Sequence, residues 1–119
     1  MNDRERIVLV GPGRAGVSVC RALVEAGAVA TAMVGGGPES VAAATVELGP
    51  LPIRTLQTAL EPGAVVVLAV PDDRLPSVAA SLDGPASPDT LVLHLAGAAG
   101  REILAPLAAR GVRTAAWHP

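Results

Sequence analysis

Apolar residues recur along this chain in two alternating rhythms. Residues 7–10 form a short aliphatic run that stops at Gly11, after which Ala15, Val19, Leu23 and Val24 return at helical spacing as far as Gly27. The pair predicts strand, tight turn and helix. A second run, 28–34, ends in Gly35, Gly36 and Gly37, and Pro38 is suited to open a helix that reads through ESVAAATVEL and stops at Gly49 and Pro50. The stretch LPIRT predicts a weak, proline-marked third strand, and LQTALEPG a brief helix closed by Pro62 and Gly63. Next, AVVVLAV at 64–70 is apolar at every position, as expected of a central parallel strand covered on both faces. The helix-like DDRLPSVAASLDG, the strand TLVLHLAG, the helix AGREILAPLAARG and a final strand VRTAAWHP complete the alternation.

Strands and helices alternating in so few residues predict right-handed crossovers in one mostly parallel, doubly wound six-stranded sheet, with order 3-2-1-4-5-6 and helices on both faces. The length of 119 residues fits a single domain over 1–119, and no internal linker or repeat appears. Half the residues are apolar, yet Phe and Tyr are absent and Trp occurs once, so the core is expected to be built from Val, Leu, Ile and Ala.

A formal charge of −2 and nine scattered arginines give no stripe able to follow a phosphate backbone, which argues against a nucleic-acid partner. The N-terminal MNDRERIVLVG is neither a signal peptide nor a membrane span, so a cytoplasmic protein without a membrane partner is expected. The single Cys20 reads as a small buried apolar residue, and two histidines do not fill a metal site without carboxylate help.

Gly11, Gly13 and Gly16 form G-x-G-x-x-G between a strand and a helix start. The first glycine permits the tight turn, the second lets the backbone approach a pyrophosphate and the third allows close helix–strand packing, while the helix N-terminus offers free N–H groups to an anion. With Pro12, Arg14 and Ala15 they make the expected cofactor loop. Arg14 is placed to meet a phosphate or lie over the adenosine side, or else to be solvated. The other segments following strands at the switch point are the Gly35–Gly36–Ser40 region, Val70, Pro71 and Asp72, and Ala96 with Gly97. Asp72 and Asp73 are otherwise explained as an N-cap and a first-turn acid. His94 reads as a hydrogen-bonded core histidine, whereas His118, after the last strand, is the weak catalytic candidate.

No acid stands after the second strand, where one would read a ribose. Its absence excludes neither NAD nor NADP. Successive glycine N–H groups with the Ser40 hydroxyl suit a phosphate, which favours NADP.

Together IVLVGPGRAGVSVCRALVEAG, VVVLAVPDDRL, LVLHLAG and ILAPLAARGVRTAAWHP resemble the N-terminal Rossmann-like domain of a bacterial family assigned as NAD(P)-dependent oxidoreductases. Its relatives are pyrroline-carboxylate reductase, the hydroxyacid dehydrogenases and deazaflavin-dependent NADP reductases. The resemblance implies NAD(P) on residues 11–16, with the cofactor passing over AVPDD toward HLAG near its nicotinamide end. It further implies a C-terminal helical domain after residue 119 that supplies substrate pocket and homodimer interface. Hydride transfer between nicotinamide and a small carbonyl or imine is then expected, with the isolated domain inactive. Two positions depart from the pattern. Leu95 and Ala96 stand where relatives carry hydroxyls, and Gly35 and Gly36 stand where relatives carry Ser or Asn followed by Arg. These departures keep open a non-catalytic module that binds a nucleotide or anion. A flavodoxin-like or receiver-like domain fits less well, because the glycine fingerprint is present and no aromatic is available to stack on a flavin.

Overall fold

The computed structural model describes residues 4–96 and 99–117. Six strands, β1 (Arg6–Val10), β2 (Val29–Val34), β3 (Ile53–Arg54), β4 (Ala64–Leu68), β5 (Leu91–His94) and β6 (Arg113–Ala116), form one parallel sheet in the order β3-β2-β1-β4-β5-β6. This is the expected topology. The order reverses between β1 and β4, so the crevice beyond their carboxyl ends is where such a sheet takes its ligands.

Helices α1 (Arg14–Glu25) and α2 (Pro38–Leu48) serve the first half of the chain; α3 (Leu75–Ser81) and α4 (Ala105–Ala108) serve the second. Within α1, Gly16, Val19 and Cys20 are buried with Leu23 half-buried on the same stripe, and they pack on Ile7, Leu9 and Val67. The opposite face gathers Val8, Val10, Val66, Leu68 and Val92 under Leu75, Val78, Leu104 and Leu107. Each strand thus sends alternate residues to the two layers, as the period of two requires.

Four elements differ from the sequence expectation. The helix expected from Asp72 begins at Leu75, because Pro76 lacks an N–H and is tolerated only in the first turn. The residues before it form a turn in which the Arg74 N–H donates to the Pro71 carbonyl at 2.9 Å. For the same reason the helix expected over 99–111 is split: a 3-10 turn covers Arg101–Leu104, and α4 restarts with Pro106 in its first turn. Strand β4 ends at Leu68 rather than at 70, since Gly11 has already left the neighbouring ladder and Pro71 turns the chain away. The brief helix after β3 is a 3-10 turn, Leu56–Thr58. Among the described residues, no helix is long and apolar enough to cross a membrane.

Candidate functional site

The chain leaves β1 at Gly11, whose φ of +87° lies in the left-handed region and whose N–H donates to the Val34 carbonyl at 2.9 Å. A Cβ at Gly11 would stand 2.7 Å from the Ala69 carbonyl oxygen, so both the turn and the space demand glycine. Gly16 is needed for packing instead. A Cβ there would meet the Ala69 Cβ at 2.7 Å and the Gly11 oxygen at 2.8 Å, and its absence lets α1 sit directly on the sheet. Gly13 is the N-cap of α1 and has nothing within 4 Å of where its Cβ would be. Its backbone therefore faces open space.

Beside this turn lies the loop after β2. Gly36, at φ +85°, packs so closely on Pro12 that a Cβ would come within 2.7 Å of the proline ring. The two loops are thereby locked together. Gly37 is the N-cap of α2, with Pro38 in the first turn and no side chain capping the helix. Both α1 and α2 therefore start at this edge from bare glycine caps, each with first-turn N–H groups that have no intrahelical acceptor. Their dipoles favour negative charge at the same place.

A cleft of about 220 Å³ opens between the loops, lined by the glycine turn, Gly35, Gly36, Ser40, Val70, Pro71 and Arg74. It adjoins a larger groove between α1 and α2 that includes Arg14, Arg21, Glu39 and Ser40. The arginines of the molecule divide by position. Arg6, Arg21, Arg54 and Arg110 are spent on Glu61, Glu25 with Glu47, Glu61 again, and Asp83. Arg14 and Arg74, at the cleft and its adjoining groove, make no ion pair or side-chain hydrogen bond among the described residues. Among the described residues, Arg74 is the sole ionisable side chain lining the cleft itself.

The structure thus brings Gly11, Pro12, Gly13, Gly35, Gly36, Ser40, Val70 and Pro71 together around one cleft, with Arg14 on the adjoining groove. Ala15 is exposed on the first turn of α1, and Gly16 is buried beneath it. Asp72 is exposed outside the cleft lining, and neither it nor Asp73 caps α3, whose N-cap is Arg74. Ala96 is turned into the core rather than toward the cleft. Gly97 and His118 lie outside the described residues. Sequence reasoning passed over Arg74; the available signal was an arginine in the turn after the central strand at the switch point.

His94 is fully buried, and both ring nitrogens are hydrogen-bonded, as expected of a core histidine. Cys20 is buried beneath α1, and removal from water pushes its thiol up to about 11, which leaves it uncharged and unreactive at neutral pH.

A Rossmann-like domain is the family that matches, over residues 1–119. Among solved structures, a candidate NADP oxidoreductase of Bacteroides fragilis superposes with a TM-score of 0.70 at 17% identity, over 100% of this chain and 45% of that one. The A chain of dipicolinate synthase from Bacillus subtilis gives 0.69 at 20% identity, over 99% and 39%. Prephenate dehydrogenase from A. aeolicus, solved with hydroxyphenyl propionate and NAD+, gives 0.66 at 20% identity, over 97% and 41%. This chain spans less than half the length of each of these proteins. At such identities the likeness is one of fold. No curated protein matches the chain significantly in sequence.

Proposed function

The chain belongs to the Rossmann-like domain family, and from that premise we propose that it binds a nicotinamide dinucleotide, NADP in preference to NAD, for an oxidoreductase. One observation carries the reading: two helices with bare glycine caps and two arginines without an ion pair among the described residues converge on the crevice at the switch point. The pyrophosphate fits the N–H groups at the start of α1, where the empty space over Gly13 allows close approach. Arg14 and Arg74 supply charge from either side, and Gly35, Gly36 and Ser40 border the adenosine ribose. With no acid among these ribose-side residues, a 2′-phosphate meets no repulsion there. Glu39, on the adjoining groove, is the opposing charge.

When bound, the nicotinamide supplies the hydride chemistry, and the chain supplies binding and orientation. A small carbonyl or imine is the substrate class, and the proton accompanying its reduction comes from beyond the described lining of the cleft, which holds no general acid among the described residues. The solved proteins of like fold are more than twice as long, in keeping with a helical substrate and dimerisation domain joined to this one; on this reading the domain alone binds cofactor and turns over nothing.

Titrating the chain with NADPH and with NADH, while following the backbone amides of Arg14, Ala15 and Gly16 by NMR, tests the reading. Shifts at these amides are expected; no response to either dinucleotide at millimolar concentration overturns it. Arg14→Ala and Arg74→Ala should each weaken NADPH binding about tenfold, the worth of one charged hydrogen bond. Their unfolding midpoints should stay at the wild-type value, because neither side chain braces the fold.

A further inference from the structure

The cleft between the loop after β2 and the turn after β4 is built from apolar walls and one plane. Val34 and Val78 are buried in its lining, and Leu56 and Val70 pack on the core there while staying half-buried. Among the described residues, the only polar side chains of the lining are Ser40 and Arg74. Arg74 stands on a fixed backbone: its N–H donates to the Pro71 carbonyl at 2.9 Å, and its own carbonyl accepts from the Val78 N–H and the Ser77 hydroxyl, each at 3.0 Å. Its guanidinium is the one planar side chain among the described residues of the lining, and the sequence holds no Phe or Tyr to take that part. A guanidinium keeps its charge at every working pH, is weakly hydrated for a cation and stacks on aromatic faces.

From this lining we propose that the cleft is a base slot, in which Arg74 lies on the face of a purine and the edge of the ring goes unread. The inference deepens the dinucleotide reading above and rests on it. Gly35, Gly36 and Ser40, which border the adenosine ribose in that reading, also line the cleft, so the base carried by that ribose has the cleft beside it. The volume of about 220 Å³ is below the roughly 300–1,000 Å³ of pockets that enclose a whole drug-sized ligand, which suits one ring system rather than the full dinucleotide. Arg74 then brings its charge to the base, while Arg14 on the adjoining groove serves the phosphates. Adenine, hypoxanthine and guanine share the face and differ at the edge. With Ser40 on the ribose, no side chain of the described lining is left to tell those edges apart.

Calorimetry on the 119-residue chain tests the slot with four nicotinamide dinucleotides, those of adenine, hypoxanthine, guanine and cytosine, all in whichever 2′ form, phosphate or hydroxyl, the wild type binds more tightly with adenine. The three purine compounds should bind within about threefold of one another, and the cytosine compound, with its smaller ring, about tenfold more weakly. Arg74→Ala should weaken the purine compounds about tenfold and leave purine and pyrimidine within about threefold, whereas Arg14→Ala should weaken all four alike. Adenine favoured over hypoxanthine or guanine beyond that margin overturns the unread edge. Equal weakening of all four by Arg74→Ala places Arg74 on the phosphates and overturns the slot, as does a wild type without a purine preference; the dinucleotide reading survives each of these results. Wild-type failure to bind any of the four at millimolar concentration overturns that reading and the slot with it. The etheno-adenine dinucleotide gives a readout that needs no variant: its fluorescent base should be shielded from acrylamide about threefold once bound, and quenching equal to that of the free compound puts the base in solvent and overturns the slot.

Discussion

The two halves of this sheet are built from the same strand–crossover alternation, yet they treat their crossovers differently. In the first half α1 and α2 run for 12 and 11 residues and begin at the ligand edge from glycine caps. In the second half α3 and α4 run for only 7 and 4 residues, and each begins after a turn and carries an early proline. The first half therefore presents backbone N–H groups and helix dipoles to the crevice, whereas the second presents a side chain, Arg74. The halves also differ in what they cover. Helix α1 shields one face over β2, β1 and β4 with α2 beside it, and α3 and α4 shield the other. On the α1 side, Val65, Leu91 and Leu93 remain half-buried beside an exposed Trp117, around an apolar groove of about 760 Å³.

Glycine substitutions break this comparison most forcefully. Gly11→Ala places a side chain at φ +87° and drives its Cβ to 2.7 Å from the Ala69 carbonyl oxygen, so strain and overlap together should cost about 2–4 kcal/mol. Gly111 in the second half also has a positive φ, +90°, but nothing lies within 4 Å of its Cβ position. Gly111→Ala should then cost only about 1 kcal/mol, the conformational part alone. Urea midpoints at unchanged slope measure both. Equal losses would mean that the turn after β1 is no tighter than an open one, and the packing account of Gly11 would fall.

The first half was the more legible in the sequence, for a physical reason. Its strands are continuous apolar runs, its helices have regular spacing, and its turns fall at glycines, so local preference and tertiary fold agree. In the second half they conflict. The helical pattern begins before Pro76 and again before Pro106, but a proline without an N–H delays each helix to its own first turn. That delay also removed Asp72 from the capping role its position suggested, and made Arg74 the N-cap. Arg74 escaped notice because a single arginine in a polar turn looks solvated until the fold places it over the crevice. The burial of His94 could be read from its apolar strand, but its partners could not: the Gly100 carbonyl is reached only after the chain has folded back.

A charge placed in the loop after β2 sharpens the comparison at the ribose end. Gly36 is the wrong position, since any side chain there collides with Pro12. Gly35 has a positive φ of +76° but open space around it, and aspartate tolerates the left-handed region better than most residues. Gly35→Asp should lower the ratio of NADPH to NADH affinity about tenfold, by repelling a 2′-phosphate and accepting from a 2′-hydroxyl. Arg101 gives the matching control in the second half: it makes no ion pair among the described residues and lies away from the cleft, so Arg101→Asp should leave the ratio unchanged. A ratio moved equally by both substitutions would reduce the effect to net charge and remove the loop's claim to specificity.

The smallest effect concerns how each half ties its helices together at the surface. In the first half Arg21 pairs with Glu25 on its own helix and joins α1 to α2 through Glu47. In the second, Arg110 beyond α4 reaches the end of α3, donating to Asp83 at 3.0 Å and to the Leu82 and Gly84 carbonyls at 3.2 and 3.3 Å. The Gly84 N–H, at 2.8 Å, and then the Arg110 guanidinium hold the Asp83 carboxyl below its ordinary value of 3.8. A carboxyl lowered on folding contributes stability that is full above its unfolded pKa and disappears as pH falls through its folded one. The difference in urea midpoint between wild type and Asp83→Asn should therefore be constant from pH 7 down to about 5 and close progressively below about 4. Arg110→Ala should cost more than Asp83→Asn, because it also abandons two backbone carbonyls at the end of α3. A difference that persists unchanged into acid would show that the bond from Gly84 survives protonation of its acceptor, and that the brace works through the backbone alone.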